Sequence, residues 1–323
     1  MDRRFFLACS MAAFIGPIAA EAQLTRRPVT IGVLAIEAWS PLDTFRQALR
    51  ELGYMEGQNV TLEYRYAEGR NERFPELAAE LVSIKVDVII TWGTAAALAA
   101  KRATTTIPVV MAAIADPITP GVVTNLARPG ANITGLSALA GELEAKRLDL
   151  LKELLPGLSR VGLLTNPTNV GYTPHAIQRV RVAAQRLNVT LSVHEARDAT
   201  TLDAALERLM VERPDALMVL VDVFLLFQRR RLAQYGLKNR LPSMYAYREH
   251  VEAGGLIAYS TNYHDLFRRA AGYVDKILKG AKPGDLPVEQ ASTFELFVNV
   301  KTAKTLGLTI PPSILARGAQ LIE

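Results

Sequence analysis

The chain has one cysteine in 323 residues. It sits at position 9, inside what reads as an export peptide, so a disulfide framework, a C-x-x-C redox site and thiol catalysis are all excluded for the rest of the chain. Past residue 22 no stretch approaches the roughly 18 uninterrupted apolar residues of a membrane-spanning helix, and a soluble protein is expected. There is no G-x-x-x-x-G-K-[ST] phosphate loop, no G-x-G-x-x-G after the first strand-like run and no G-x-S-x-G nucleophile elbow. The four histidines, His175, His194, His250 and His264, are far apart and never form H-x-x-x-H. No catalytic residue, cofactor or metal site is therefore expected. His194, alternating with Val193 and Glu195, reads as a surface or edge residue of a strand. Positive charge is thin as well, a net +5. Its densest run, Arg229-Arg230-Arg231, falls on a helix where adjacent positions point apart, so no nucleic-acid surface is expected.

What is present begins with an export signal. Arg3 and Arg4 precede an apolar stretch from Phe5 to Ile18, and Ala20-Glu21-Ala22 is a small-x-small cleavage site. Residues 1–22 are expected to be removed, by either the Sec or the twin-arginine route, and the periplasm is the expected location. Leu7-Ala8-Cys9 faintly resembles a lipoprotein acceptor site, but the apolar stretch before Cys9 is short. Removal takes away Arg3, Arg4, Asp2 and Glu21 and leaves the net charge unchanged.

Half of all residues are hydrophobic and 21% are charged, which excludes a disordered or collagen-like chain. The length fits two domains, and the pattern is written twice. Strand-like runs at 29–35, 60–66, 87–92, 107–114 and 133–136 alternate with helical runs at 42–52, 74–84 and 94–103. The scheme restarts with strands at 160–165, 189–195, 215–221, 242–247 and 256–260 and helices at 174–187, 201–211 and 224–238. A strong amphipathic helix over 265–278, a strand over 294–300 and a final helix from Lys301 are left over. Two β-α-β-α-β blocks predict an α/β protein of two doubly wound, Rossmann-like lobes with parallel sheets.

In such sheets ligands bind beyond the carboxyl ends of the strands, here in the cleft between lobes. The residues that follow the strands are Trp39 and Ser40, then Trp92, Gly93 and Thr94, then Asp116, Ser137, Asn166, Asp222, Tyr245 and Tyr259. Gly93-Thr94 opens a helix whose N–H groups and hydroxyl suit a carboxylate or phosphate oxygen. Asp116 and Asp222 suit a cation, and the aromatic residues suit a flat apolar group. Each has a plainer reading: Asp116 before Pro117 as a turn residue, Asp222 as a helix cap, Trp92 as core.

The segments Thr91-Trp92-Gly93-Thr94-Ala95-Ala96, Asp116-Pro117, Arg128-Pro129-Gly130-Ala131-Asn132-Ile133-Thr134-Gly135 and Asn299-Val300-Lys301-Thr302-Ala303-Lys304 resemble the substrate-binding proteins of ABC importers of the tryptophan/tyrosine-binding type. The resemblance covers essentially the whole chain after the export peptide. It implies a type I periplasmic-binding-protein fold with three crossovers, near Ser137, near Tyr259 to Thr261 and near Gly284 to Pro287. One lobe would then hold residues 28–137 and 261–285, the other 138–260 and 286–323. Gly93-Thr94 matches the family's Gly-Thr loop and Asp222 its second-lobe aspartate. The family often has serine and asparagine around that aspartate, whereas Val221 and Val223 stand here. The implied function is a monomeric receptor that closes on a small solute, an amino acid or a related carboxylate or aromatic, and presents it to a membrane permease with its ATPase. A ligand sensor feeding a kinase or chemoreceptor, and an exported enzyme on the same scaffold, are the other readings.

Overall fold

In the computed structural model, which describes residues 27–323, the chain builds two sheets in succession. The expected export peptide, Cys9 included, lies outside the described residues. The first stretch runs β1 (Val29–Ala35), α1 (Pro41–Glu51), β2 (Val60–Tyr66), α2 (Phe74–Ser83), β3 (Val88–Trp92), α3 (Thr94–Ala103), β4 (Val109–Ile114) and β5 (Ile133–Ser137). The second runs α4 (Ala140–Leu154), β6 (Arg160–Thr165), α5 (Thr173–Arg186), β7 (Thr190–Glu195), α6 (Ala199–Glu212), β8 (Ala216–Val219), α7 (Val223–Phe227), α8 (Arg229–Lys238), β9 (Ser243–Tyr245), α9 (Arg248–Glu252) and β10 (Ile257–Thr261). The remainder is α10 (Tyr263–Leu278), β11 (Glu289–Gln290), β12 (Phe294–Asn299), α11 (Val300–Thr305), α12 (Pro312–Leu315) and β13 (Gln320–Ile322). Strand order is β11-β5-β4-β3-β1-β2 in one sheet and β13-β12-β10-β9-β8-β6-β7 in the other. The β-branched runs become strands because both of their faces are covered: every residue of β3 and β4 is buried. Among the described residues no helix is long and apolar enough to cross a membrane.

Several elements differ from the sequence expectation. Helix α4 was not foreseen, nor were α9, β11, α12 and β13. The run expected as one helix over 224–238 is broken at Gln228 into α7 and α8. The sheets are not wholly parallel, since β12 runs antiparallel to β10. Strand β11 pairs with β5 in the first sheet, so the third crossing follows Gln290. It does not lie at 284–287, and the first lobe does not end at 285. His194 lies on edge strand β7 yet is only 3% exposed. Its Nε2 is 3.2 Å from Glu212 Oε2, and burial holds its pKa below the ordinary value against that carboxylate.

The return to the first sheet is made by α10. Phe267, Ala270, Ala271, Val274 and Ile277, spaced by three and four, form its buried face. Asn262 Oδ1 caps it by accepting from the Asp265 N–H at 2.9 Å. One apolar cluster runs through both sheets and includes Trp39, Trp92, Tyr247, Tyr263 and Phe267, so the two lobes share a core where they meet.

Two of the segments that carry the resemblance, around Asn132 and Asn299, are joints of this scaffold. Asn132 Nδ2 donates to the carbonyls of Thr104 and Ile107, at 3.1 and 2.7 Å, tying the loop after α3 to the start of β5. Asn299 Oδ1 caps α11 through the Thr302 N–H at 2.8 Å, while its Nδ2 donates to the Val251 carbonyl at 3.1 Å. Asn299→Ala removes both bonds from a site 6% exposed. It is expected to cost about 2 kcal/mol, seen as a lower urea midpoint at unchanged slope. An unchanged midpoint would rule out this role.

Candidate functional site

The carboxyl ends of β3 and β4 face those of β8 and β9 across a narrow cleft. At the end of β3 the chain turns through Gly93, whose φ of +81° suits only glycine without strain. It also brings the other lobe close, because a Cβ at Gly93 would lie 3.5 Å from Val223 Cγ2. Thr94 then starts the ten-residue α3, with the unpaired N–H groups of its first turn at the cleft. The Thr94 hydroxyl and the Trp92 Nε1–H are buried and have no hydrogen-bond partner among the described residues. Both residues line the two adjoining cavities of the cleft, each of about 30 Å³.

Asp222 faces them from the second lobe and lines the same cavities. It caps α7 by accepting from the Leu225 N–H at 3.1 Å, so the plainer reading as a helix cap holds as well. Asn166 Nδ2 donates to the same carboxylate oxygen at 3.1 Å, and Asn169 stands beside it. Asn166 is itself fixed, its Oδ1 accepting from the Thr168 N–H and hydroxyl. Burial is the dominant influence on Asp222 and pushes its pKa up to about 6 against these hydrogen bonds.

Aromatic rings close the remaining wall. Trp39 packs edge-on to Tyr247 and Phe267, with centroids 5.7 Å apart in each case, and at 4.7 Å against Tyr263. The lobes touch elsewhere too. Gly171 is so close to Pro120 that a Cβ would fall 2.6 Å from that ring. Asn71 donates to Thr168 Oγ1 at 3.0 Å, and Arg179 lies 3.5 Å from Asp116.

The cavities thus gather Trp39, Trp92, Gly93, Thr94 and Asp222 among the residues expected from sequence. Asp116 and Ser137 line a neighbouring cavity with Arg179 and Gln290. Asp116 acts there as a turn residue. Burial alone would raise its pKa, but bonds from Thr119 and Ile118, with Arg179 nearby, hold it below the ordinary value. Asn166 positions Asp222 from behind. Ser40 is exposed at the start of α1. Tyr245 is wholly buried and stacks on His250 at 4.4 Å inside the second lobe. Tyr259 packs on Phe294 at 6.3 Å along β10. None of these three lines the cleft cavities: successive strand side chains alternate between the two faces of a sheet, so Tyr245 and Tyr259 pack within the second lobe, and Ser40 faces solvent. Asn169 and Tyr247, which stand in the strand-end loops read for candidates, line the cavities as well, whereas Tyr263 was missed. Tyr247 and Asn169 each stand two or three residues beyond a named candidate, and Tyr263 opens the helix after the second crossing.

Directly behind Val221 lies a buried charge pair on α4. Glu144 and Arg147 are both 0% exposed. Glu144 Oε1 accepts from the Tyr172 hydroxyl at 2.6 Å and the Val221 N–H at 3.3 Å. Arg147 Nε donates to the Tyr259 carbonyl at 2.8 Å. Its Nη1 forms an ion pair with Glu144 Oε1 at 3.1 Å, and Nη2 has no hydrogen-bond partner among the described residues.

A family model described as ABC transporter substrate binding protein matches residues 39–322. The chain is 26% identical over 288 residues to a tyrosine-binding protein of Clostridioides difficile (strain R20291), covering 88% of this chain and 82% of that one. A conserved domain protein from Vibrio cholerae superposes with a TM-score of 0.85 at 28% identity, covering 92% of this chain and 100% of the other. An ABC domain from Streptococcus pneumonia in complex with L-Trp gives 0.83 at 28% identity, covering 91% and 100%.

Proposed function

The chain belongs to the ABC transporter substrate-binding protein family, and on that premise we propose that it is an exported receptor that closes its two lobes over an L-amino acid and hands it to a membrane permease. Proteins of this family bind substrates and are not enzymes. The two mostly parallel sheets form the type I periplasmic-binding-protein fold. The observation that carries the reading is the pairing across the cleft. An unpartnered Thr94 hydroxyl at the start of α3 faces a buried Asp222 on the other lobe.

A zwitterion answers both. Its carboxylate is matched by the first turn of α3 and the Thr94 hydroxyl. Its ammonium is matched by Asp222 and Asn169. Its side chain would lie among Trp39, Trp92, Tyr247 and Tyr263. The names of two relatives, one tyrosine-binding and one holding L-Trp, support an aromatic side chain. Val221 and Val223 leave the second lobe fewer polar groups around Asp222. Ligand contacts on both lobes favour the closed state, a population shift by differential affinity. The export peptide read from residues 1–22 supports a periplasmic location.

A thermal-shift screen of the twenty L-amino acids tests this. The cognate solute at a hundredfold excess over Kd should stabilise by about 2.7 kcal/mol. Thr94→Ala should weaken binding about tenfold. No shift with any amino acid, or an unaltered Kd in the variant, would overturn the reading.

A further inference from the structure

Trp39 is anchored in an unusual way. It sits on the loop between β1 and α1, with both neighbours, Ala38 and Ser40, exposed, yet it is only 8% exposed itself. Its ring is inserted between the lobes. Its Nε1–H donates to Glu249 Oε1 of the opposite lobe at 2.6 Å, in the first turn of α9. The acceptor is a carboxylate and the bond is partly shielded from solvent, the conditions under which a hydrogen bond is strongest. Two other polar bridges across the cleft, Asn71 to Thr168 and Arg179 to Asp116, lie nearer solvent and are weaker for it.

We propose that Trp39 and Glu249 form a latch that selects the solute by size. The inference rests on the solute-binding reading above. The indole does two jobs at once. Its face walls the cavity, in contact with Tyr247 and Tyr263, while its N–H holds the other lobe. Both can be met only with the ring in one position. A solute whose side chain leaves that ring seated gains closure through Glu249. A bulkier one displaces the ring and loses the latch. Glu249 does not line the cavities, so it is a positioning residue and acts on affinity through Trp39.

The test compares wild type, Glu249→Ala, Glu249→Gln and Trp39→Phe, with L-tyrosine, L-phenylalanine, L-leucine and L-tryptophan as probes. Trp39→Phe keeps an aromatic wall but removes the donor. Glu249→Gln keeps an acceptor without its charge, at nearly constant shape, and guards against misfolding of the alanine variant. Spin or dye labels at Leu52→Cys and Val211→Cys, with Cys9→Ser, report the lobe separation from exposed positions. Binding of the tightest probe should weaken about tenfold in Glu249→Ala and Trp39→Phe and less in Glu249→Gln. The ratio of affinities between the tightest probe and bulkier ones should shrink with it, and the closed population should fall. Uniform weakening with the ratio intact, or identical lobe-distance distributions in wild type and Glu249→Ala with and without probes, would overturn the latch. A closed population that depends on Glu249 while no probe binds would instead overturn the amino-acid reading alone.

Discussion

Asp222→Asn is expected to abolish solute binding, by about a hundredfold or more, while making the empty protein more stable at pH 7. The two effects share one cause. Asp222 is 4% exposed, and among the described residues no cationic side chain stands beside it to offset its charge. Burial lifts its pKa from 3.8 to about 6. Between those values the folded protein keeps a proton that the unfolded chain has released. The group therefore favours folding fully below about pH 4, and that contribution is lost as the pH rises through about 6. At neutral pH the buried carboxylate is a net burden, which a ligand ammonium would offset on the reading proposed above. Asparagine has nearly the same shape and can keep an acceptor toward Asn166 and the Leu225 N–H. It cannot answer an ammonium with charge. Wild-type affinity should fall as the pH drops below about 6, because the carboxyl must lose its proton to bind. In the variant the residual affinity should be flat across that range. Calorimetric titration between pH 5 and 8, with thermal melts of the empty proteins, checks both parts. A variant that still binds tightly, or that melts lower than wild type at pH 7, would show that Asp222 serves chiefly as the cap of α7.

The contrast between what the sequence discloses and what it hides follows the range of the interactions. Strands β1 and β2 and helix α3 fall where periodicity places them, because their burial pattern is local to each element. Gly93, Thr94 and Asp222 could be picked out because doubly wound sheets put their binding loops at strand ends. Helix α4 escaped notice although Leu143, Leu148, Leu150, Leu151 and Leu154 are all buried. Its inner face also carries Glu144 and Arg147, three residues apart, and such charges read as a solvated face until their partners are known. Strand β11 has two residues and exists only through β5, about 150 positions earlier in the chain. Tyr247 and Tyr263 line the cleft only because the two sheets meet there, which no local pattern discloses. Of the segments that disclosed the family, those around Asn132 and Asn299 brace the scaffold, and only the one at Trp92 to Thr94 lines the cleft cavities.

Arg147→Ala is expected to be the most destabilising single change at the junction of the lobes. It leaves Glu144 as a buried, uncompensated carboxylate and empties the volume of one of the largest fully buried side chains. Loss of one partner from such a pair costs about 3–5 kcal/mol, or a fall in melting temperature of ~10 °C. Burial alone would lower the Arg147 pKa, but Glu144, with Tyr172 and Tyr263, outweighs it and holds the guanidinium charged. The damage would reach the cleft. Arg147 holds the Tyr259 carbonyl in the strand that leads into the second crossing, and Glu144 holds the Val221 N–H beside Asp222. If the cost is electrostatic, pairing the change with Glu144→Gln should return part of it. Glutamine Oε1 can still accept from Tyr172 and Val221 while the unpaired charge disappears. The double variant Glu144→Gln/Arg147→Met, which also refills the volume, should recover at least half of the lost stability. Thermal and urea melts of the single and double variants read this directly. A single variant within about 1 kcal/mol of wild type, or a double variant no more stable than the single, would mean that neither the unpaired Glu144 charge nor the lost volume sets the stability of this junction.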